Sequence, residues 1–214
     1  MIKFHTGEEL LALCEQKQAA ISHVMLEKEM QESERDAASL NEQMRENLAI
    51  MRAAVEKGLS GEVRSLSGLS GGDAYKLCLH AEHSLLGGQA VRAAAAAIAV
   101  VEVNAAMGRI VAAPTAGASG ILPGVLIGLA EAQGYDEDAL VRALFTAGAV
   151  GYLVAARATV AGADGGCQAE TGTAAAMAAA ALVELKGGSP AQSLTAAAIA
   201  LKNGMGLVCD PVAG

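Results

Sequence analysis

Hydrophobic and polar positions follow a helical period along almost the whole chain. Thr6-Gly7-Glu8-Glu9 has the form of a capping box, with Thr6 at the N-cap and Glu9 at the third helical position. A polar, amphipathic helix is predicted from there to about residue 30. A second runs from about residue 33 to residue 57: its Leu40, Met44, Leu48, Met51 and Val55 recur at spacings of three and four and form one apolar stripe. Gly58 and Gly61 are expected to end it. Residues 64–73 are a Ser/Gly loop, and a helix begins near Asp73. After Gly87 and Gly88 a long Ala-rich helix reaches about Met107. A second loop, residues 112–120, leads into a helix over about 122–133, and another covers about 136–156. Residues 160–168 read as a Gly-rich turn and 170–186 as a helix. Gly187-Gly188-Ser189-Pro190 breaks the pattern, with Ser189 or Pro190 opening the next helix. No stretch sustains period-two alternation with β-branched residues. The expected fold class is all-α: a compact bundle of Ala/Gly-rich buried helices joined by Gly-rich loops, with little or no sheet.

Composition sharpens this picture. The 214 residues suit one domain, a polar helix pair over 1–60 followed by an Ala/Gly-rich core over 61–214. Hydrophobic residues make up 53% against 18% charged, yet aromatics are only 2%, so Ala, Val, Leu, Ile and 25 glycines must supply the packing. Alanine favours helix, and small side chains let helix backbones approach closely. The net charge of −8 and the scattered Lys and Arg residues argue against a nucleic-acid partner. Residues 110–130 carry no charge and are long enough to span a bilayer. They contain Pro114, Pro123, Gly117, Gly120, Gly124 and Gly128, however, and no basic flanks, so they read as a loop and a helix start with no membrane role. Lys3, His5, Glu8 and Glu9 interrupt any apolar leader run. The cytoplasm is the expected compartment, where cysteines more often serve metals or catalysis than disulfides.

Four cysteines lie far apart, without a CxxC pair of the zinc kind. Cys167 stands at a loop-to-helix junction and Cys209 at a helix end, and helix N-termini lower thiol pKa values. A lone cysteine beside Ala and Gly is more often a small buried core residue, and Cys14 and Cys78 fit that role better. His80 and His83 share a helix face but make no metal motif. Glu102 and Asn104 end an apolar helix, where each must find hydrogen bonds, either capping a neighbouring loop or lining a site. Lys76 beside the first loop calls for an anionic partner, Asp73 or a ligand carboxylate. No GxSxG elbow and no P-loop occurs. Gly-rich loops that feed helix N-termini could bind a small carboxylate through backbone amides; they are equally tight turns between packed helices.

Five ordered motifs carry a resemblance over nearly the whole chain: Ser65-Leu66-Ser67-Gly68-Leu69-Ser70-Gly71-Gly72-Asp73-Ala74, Glu102-Val103-Asn104-Ala105-Ala106-Met107-Gly108, Ala113-Pro114-Thr115-Ala116-Gly117-Ala118-Ser119-Gly120, Gly165-Gly166-Cys167-Gln168-Ala169-Glu170 and Cys209-Asp210-Pro211-Val212-Ala213-Gly214. Together they resemble the α subunit of iron–sulfur L-serine dehydratases of the two-subunit bacterial type. The resemblance implies a lyase of amino-acid catabolism that feeds gluconeogenesis. It would convert L-serine to pyruvate and ammonia without pyridoxal phosphate, with a separate β subunit completing a homo- or hetero-oligomer. It implies a 4Fe-4S cluster held by three cysteines, with one iron free as a Lewis acid. Cys167 and Cys209 match two of the ligands. The third is expected beyond residue 214, in a C-terminal part this chain lacks. Ser65, Ser67, Gly72, Asp73, Thr115, Gly117, Gln168 and Glu170 are then expected to bind substrate, with Lys76 and Asn104 as catalytic candidates and the general base left open. Two rivals remain: a related iron–sulfur lyase such as an L-cysteine desulfidase, and a non-catalytic helical partner-binding chain.

Overall fold

A computed structural model describes residues 1–130 and 133–207 of the chain. Among the described residues it contains ten α-helices and no strand, which bears out the all-α expectation. The chain divides into two compact units: Met1–Glu42 with Val141–Gly214, and Gln43–Leu140. The dividing lines fall inside the third and seventh helices, away from the composition step near Gly61.

The first unit contains α1 (Gly7–Lys17), α2 (Ile21–Ser33), the start of α3 (Ala37–Leu59), most of α7 (Glu137–Arg157), α8 (Gly162–Gly165), α9 (Cys167–Leu185) and α10 (Pro190–Gly204). The Thr6/Glu9 capping box forms as expected. The single helix expected up to residue 30 is instead two. Gln18 adopts a left-handed conformation (φ 51°), and its backbone and side-chain N–H groups both donate to the Glu15 carbonyl, which ends α1. Glu34, also left-handed (φ 54°), ends α2, so α3 begins at Ala37 rather than near residue 33. Asp36 caps it by accepting from the Ser39 amide at 2.7 Å. The core here includes a charge: Lys28 is 1% exposed. Its ammonium pairs with Glu32 and lies 4.2 Å from the centre of the Tyr152 ring, whose edge meets Phe4 at 5.3 Å. Ser189 caps α10 in a second capping box with Gln192, and Pro190 takes the first helical position. α9 and α10 pack on small residues, Gly172 against Leu201 and Gly204 against Gln168.

The second unit is built around α5 (Gly88–Ala105). With it are the rest of α3, α4 (Asp73–Leu79), a 3₁₀ turn at Ala81–His83, α6 (Ile121–Val125) and a π-helical turn at Leu126–Ala130. The stripe on α3 is borne out: Leu40, Leu48, Met51 and Val55 are buried and Met44 half-buried. Ala54, Val55, Val63, Ala96, Val100 and Val103 make one apolar cluster. Gly58 does not end α3, which continues to Leu59; a Cβ on Gly58 would overlap Ala99 of α5, so the position needs glycine for packing. The same reason accounts for Gly120, Gly124 and Gly128. These lie four residues apart and face α5, where a Cβ would collide with the Ala97 carbonyl, or reach 2.7 Å from the Ala93 carbonyl oxygen, or 2.9 Å from the Ala93 Cα. The uniform helix expected over 122–133 is a short α-helix that loosens into the π turn.

One described helix, Glu137–Arg157, is long and apolar enough to cross a membrane by length and composition alone, and half of its apolar window is buried inside the protein. A core helix passes the same test.

Candidate functional site

In the second unit, two Gly-rich loops attach to the C-terminal end of α5 through two side chains of that helix. Glu102 is 7% exposed, and its Oε1 accepts hydrogen bonds from the backbone amides of Asp73 (2.7 Å) and Ala74 (3.3 Å). Gly72, at the N-cap of α4, has no side chain to cap with (φ 80°); Glu102 supplies the missing acceptor from a different helix and matches the positive end of α4. Two residues on, half-buried Asn104 donates from Nδ2 to the Ala116 carbonyl at 3.4 Å and so holds the second loop. Of the two roles expected for this pair, capping a neighbouring loop is observed. On this helix and on the second loop, two buried oxygens have no hydrogen-bond partner among the described residues: Glu102 Oε2 and Thr115 Oγ1.

The first loop is closed by its own serines. The Ser65 and Ser67 hydroxyls lie 3.2 Å apart, and Ser65 Oγ accepts from the Ser70 amide at 3.2 Å while Ser67 Oγ accepts from the Leu69 amide at 3.4 Å. Gly71 (φ 129°) lies so close to the Val63 carbonyl that a Cβ would overlap it. The Arg64 guanidinium folds over buried Gly72 and donates to the Gly61 and Val63 carbonyls at 2.9 and 2.6 Å. Nothing in the sequence pattern marked Arg64 for this. Lys76 is exposed, and its ammonium pairs with Asp73 Oδ1 at 2.9 Å; the anionic partner expected for it is present, but at the surface. Gly117 is exposed, and the Ala113–Pro114 peptide is cis. Ser65, Ser67, Gly72, Asp73, Lys76, Asn104, Thr115 and Gly117 thus all belong to this unit.

The remaining candidates belong to the first unit, at the start of α9. The helix opens at Cys167, three residues earlier than expected, after Gly166 with φ 75°. The turn expected over 160–168 contains the one-turn helix α8. Gln168 donates to the Leu207 carbonyl at 3.4 Å and receives the Thr171 hydroxyl at 3.4 Å. Glu170 covers Gly162, where a Cβ would strike its carboxylate. Cys14 and Cys78 are free thiols, whereas Cys167 is not. Burial, with Glu184 and Glu15 adding to it, pushes the Cys14 thiol up to about 11, so Cys14 stays protonated at neutral pH and remains a core residue. Cys209 lies outside the described residues. Among the described residues no group of three or more His, Cys, Asp or Glu could hold a metal ion. The donor set of a cluster is therefore not assembled within them.

Known proteins resemble this chain over nearly all of its length. The family model described as serine dehydratase alpha chain matches residues 16–214. The "Probable L-serine dehydratase, alpha chain" of Bacillus subtilis is 50% identical over 99% of this chain and 71% of its own length. The "L-serine dehydratase, alpha chain" of Peptoniphilus asaccharolyticus is 38% identical over 98% of this chain and 73% of its own. The longer "L-serine dehydratase" of Streptomyces coelicolor is 42% identical over 99% of this chain, which spans 47% of that protein. A match of this extent establishes that the chain belongs to the serine dehydratase alpha chain family.

Proposed function

We propose that this chain is the α chain of an L-serine dehydratase: a cytoplasmic lyase that removes the α proton and the β hydroxyl of L-serine as water. The resulting aminoacrylate tautomerises and takes up water, releasing pyruvate and ammonia. One observation carries the reading. Glu102 and Asn104 hold the two Gly-rich loops to one helix end, and among the described residues Glu102 Oε2 and Thr115 Oγ1 have no partner. Buried polar atoms are rarely left so, and a small zwitterion supplies both the donors and the acceptors they lack. In this reading Thr115, Asn104 and the backbone amides near Gly72 and Gly117 orient the substrate, and Lys76 with Asp73 stands at the rim.

Cys167 and Cys209 are proposed as two thiolate ligands of a 4Fe-4S cluster. The opening position of α9 would favour the Cys167 thiolate once the bond that its sulfur makes in this structure is reduced, because helix N-termini favour thiolates. The described residues do not complete a ligand set, and no step is assigned to the cluster. A separate β chain is proposed to supply what the longer relatives hold in one polypeptide, this chain spanning only 47% of the Streptomyces coelicolor protein. Leu66, Leu69, Leu79, Leu85 and Leu86, each at least 65% exposed, are the apolar side chains such a partner would cover.

The test is co-expression with a β chain, anaerobic reconstitution with iron and sulfide, and assay of pyruvate and ammonia from L-serine alongside sulfide from L-cysteine. Pyruvate and ammonia from serine are expected, and Cys167→Ser is expected to lose bound iron. Sulfide release in place of serine turnover would move the assignment to a desulfidase. An iron-free, inactive complex would favour the non-catalytic partner-binding chain.

A further inference from the structure

We infer that Glu102 receives the α-ammonium group of the substrate through Oε2 while Oε1 holds the loop at Asp73 and Ala74. The inference rests on the amino-acid reading above and adds a residue to it. A carboxylate 7% exposed on an apolar helix is costly unless both oxygens are engaged. Oε1 is engaged twice; Oε2 is buried and unpartnered among the described residues. Protonating Glu102 does not remove the deficit, because the new O–H would itself need an acceptor.

Three cations of this unit have other partners: Lys76 pairs with Asp73, Arg64 donates to backbone carbonyls and Arg92 pairs with Glu82. A single carboxylate oxygen without a partner, and without a group of three or more His, Cys, Asp or Glu around it among the described residues, calls for a compact N–H donor rather than a metal ion. Thr115 Oγ1 is the complementary orphan, a hydroxyl on the loop that Asn104 holds, able to donate to a carboxylate. An α-amino acid brings both partners; an amine or a hydroxy acid brings one. Oε2 is out of solvent contact, so a ligand reaches it by shifting one of the two loops, whose residues 66–70 and 116–117 are exposed.

The experiment compares L-alanine and L-lactate on the reconstituted two-chain enzyme, by competitive inhibition and by direct calorimetric binding, which needs no turnover; the two share a carboxylate and a methyl group and differ in bearing an amine or a hydroxyl. Wild type should prefer alanine. Glu102→Gln, which keeps an oxygen for the loop amides, should lose that preference by about 10- to 100-fold, the range of a charge-assisted hydrogen bond, with lactate inhibition nearly unchanged. Should that variant fail to fold, Glu102→Asp serves: its retracted carboxylate should weaken alanine more than lactate. Equal weakening of both ligands, or a wild-type ratio in the variant, or no preference for alanine in wild type, overturns the inference. The two readings fail separately. Absence of pyruvate from serine sinks the dehydratase, while the inhibitor ratio judges Glu102 alone.

Discussion

Glycine serves opposite purposes in two regions of the second unit. Along the α6 stripe, Gly120, Gly124 and Gly128 bring backbone against α5 because nothing larger than hydrogen fits beside Ala93 and Ala97. In the first loop, Gly71 and Gly72 occupy positive φ at 129° and 80°, and Gly68 at 73° meets nothing within 4 Å. The stripe uses glycine for its size; the loop uses it for backbone freedom, and at Gly71 for size as well, because a Cβ there would lie 2.2 Å from the Val63 carbonyl oxygen. A glycine needed for size is a stability element; one needed for its dihedral shapes a surface loop that side chains then pin in place. The two uses look alike in sequence, and only the neighbours separate them.

Substitution can break or sharpen this contrast. The largest effect is expected for Gly120→Val, whose branched side chain would drive α6 off α5. Loss of more than about 3 kcal/mol is expected, read as a collapse of the urea midpoint, and a wild-type midpoint would remove the stripe from the packing account. Gly71→Ala should cost less, about 1 to 3 kcal/mol for a strained dihedral, provided that the loop shifts to relieve the added contact with the Val63 carbonyl. Its serine turnover in the reconstituted complex should fall far more than its melting temperature; a parallel fall would make the loop a fold element like the stripe. Lys76→Ala should be the smallest. An ion pair whose side chains are 72% and 66% exposed contributes at most about 1 kcal/mol. Thermal unfolding should hardly change, so any loss of kcat reports contact with substrate and not the pair with Asp73.

Much of the architecture was legible in residue order. The spacing of Leu48, Met51 and Val55 set the buried face of α3, and Thr6 with Glu9 set the start of α1. The break at Gln18 was not legible, because a non-glycine residue in the left-handed region leaves no compositional mark. For the site, the motifs marked the two loops, and Glu102 and Asn104 stood out as polar groups in an apolar helix. The cap that Glu102 provides to α4 was one of two expected roles, and the choice between them depends on residues nearly thirty positions apart in sequence.

The sequence by itself determined the helical class, most helix positions, the Gly-rich loops and the family, because periodicity, caps and ordered motifs are local or linear properties. Tertiary structure decided which glycines are packing contacts, that the Ser65 and Ser67 hydroxyls close their own loop, and that one Glu102 oxygen is used while the other is left over. The reason is physical. Hydrogen-bond satisfaction and close packing are settled by whichever distant segment arrives beside a group, and no one-dimensional pattern records that arrival.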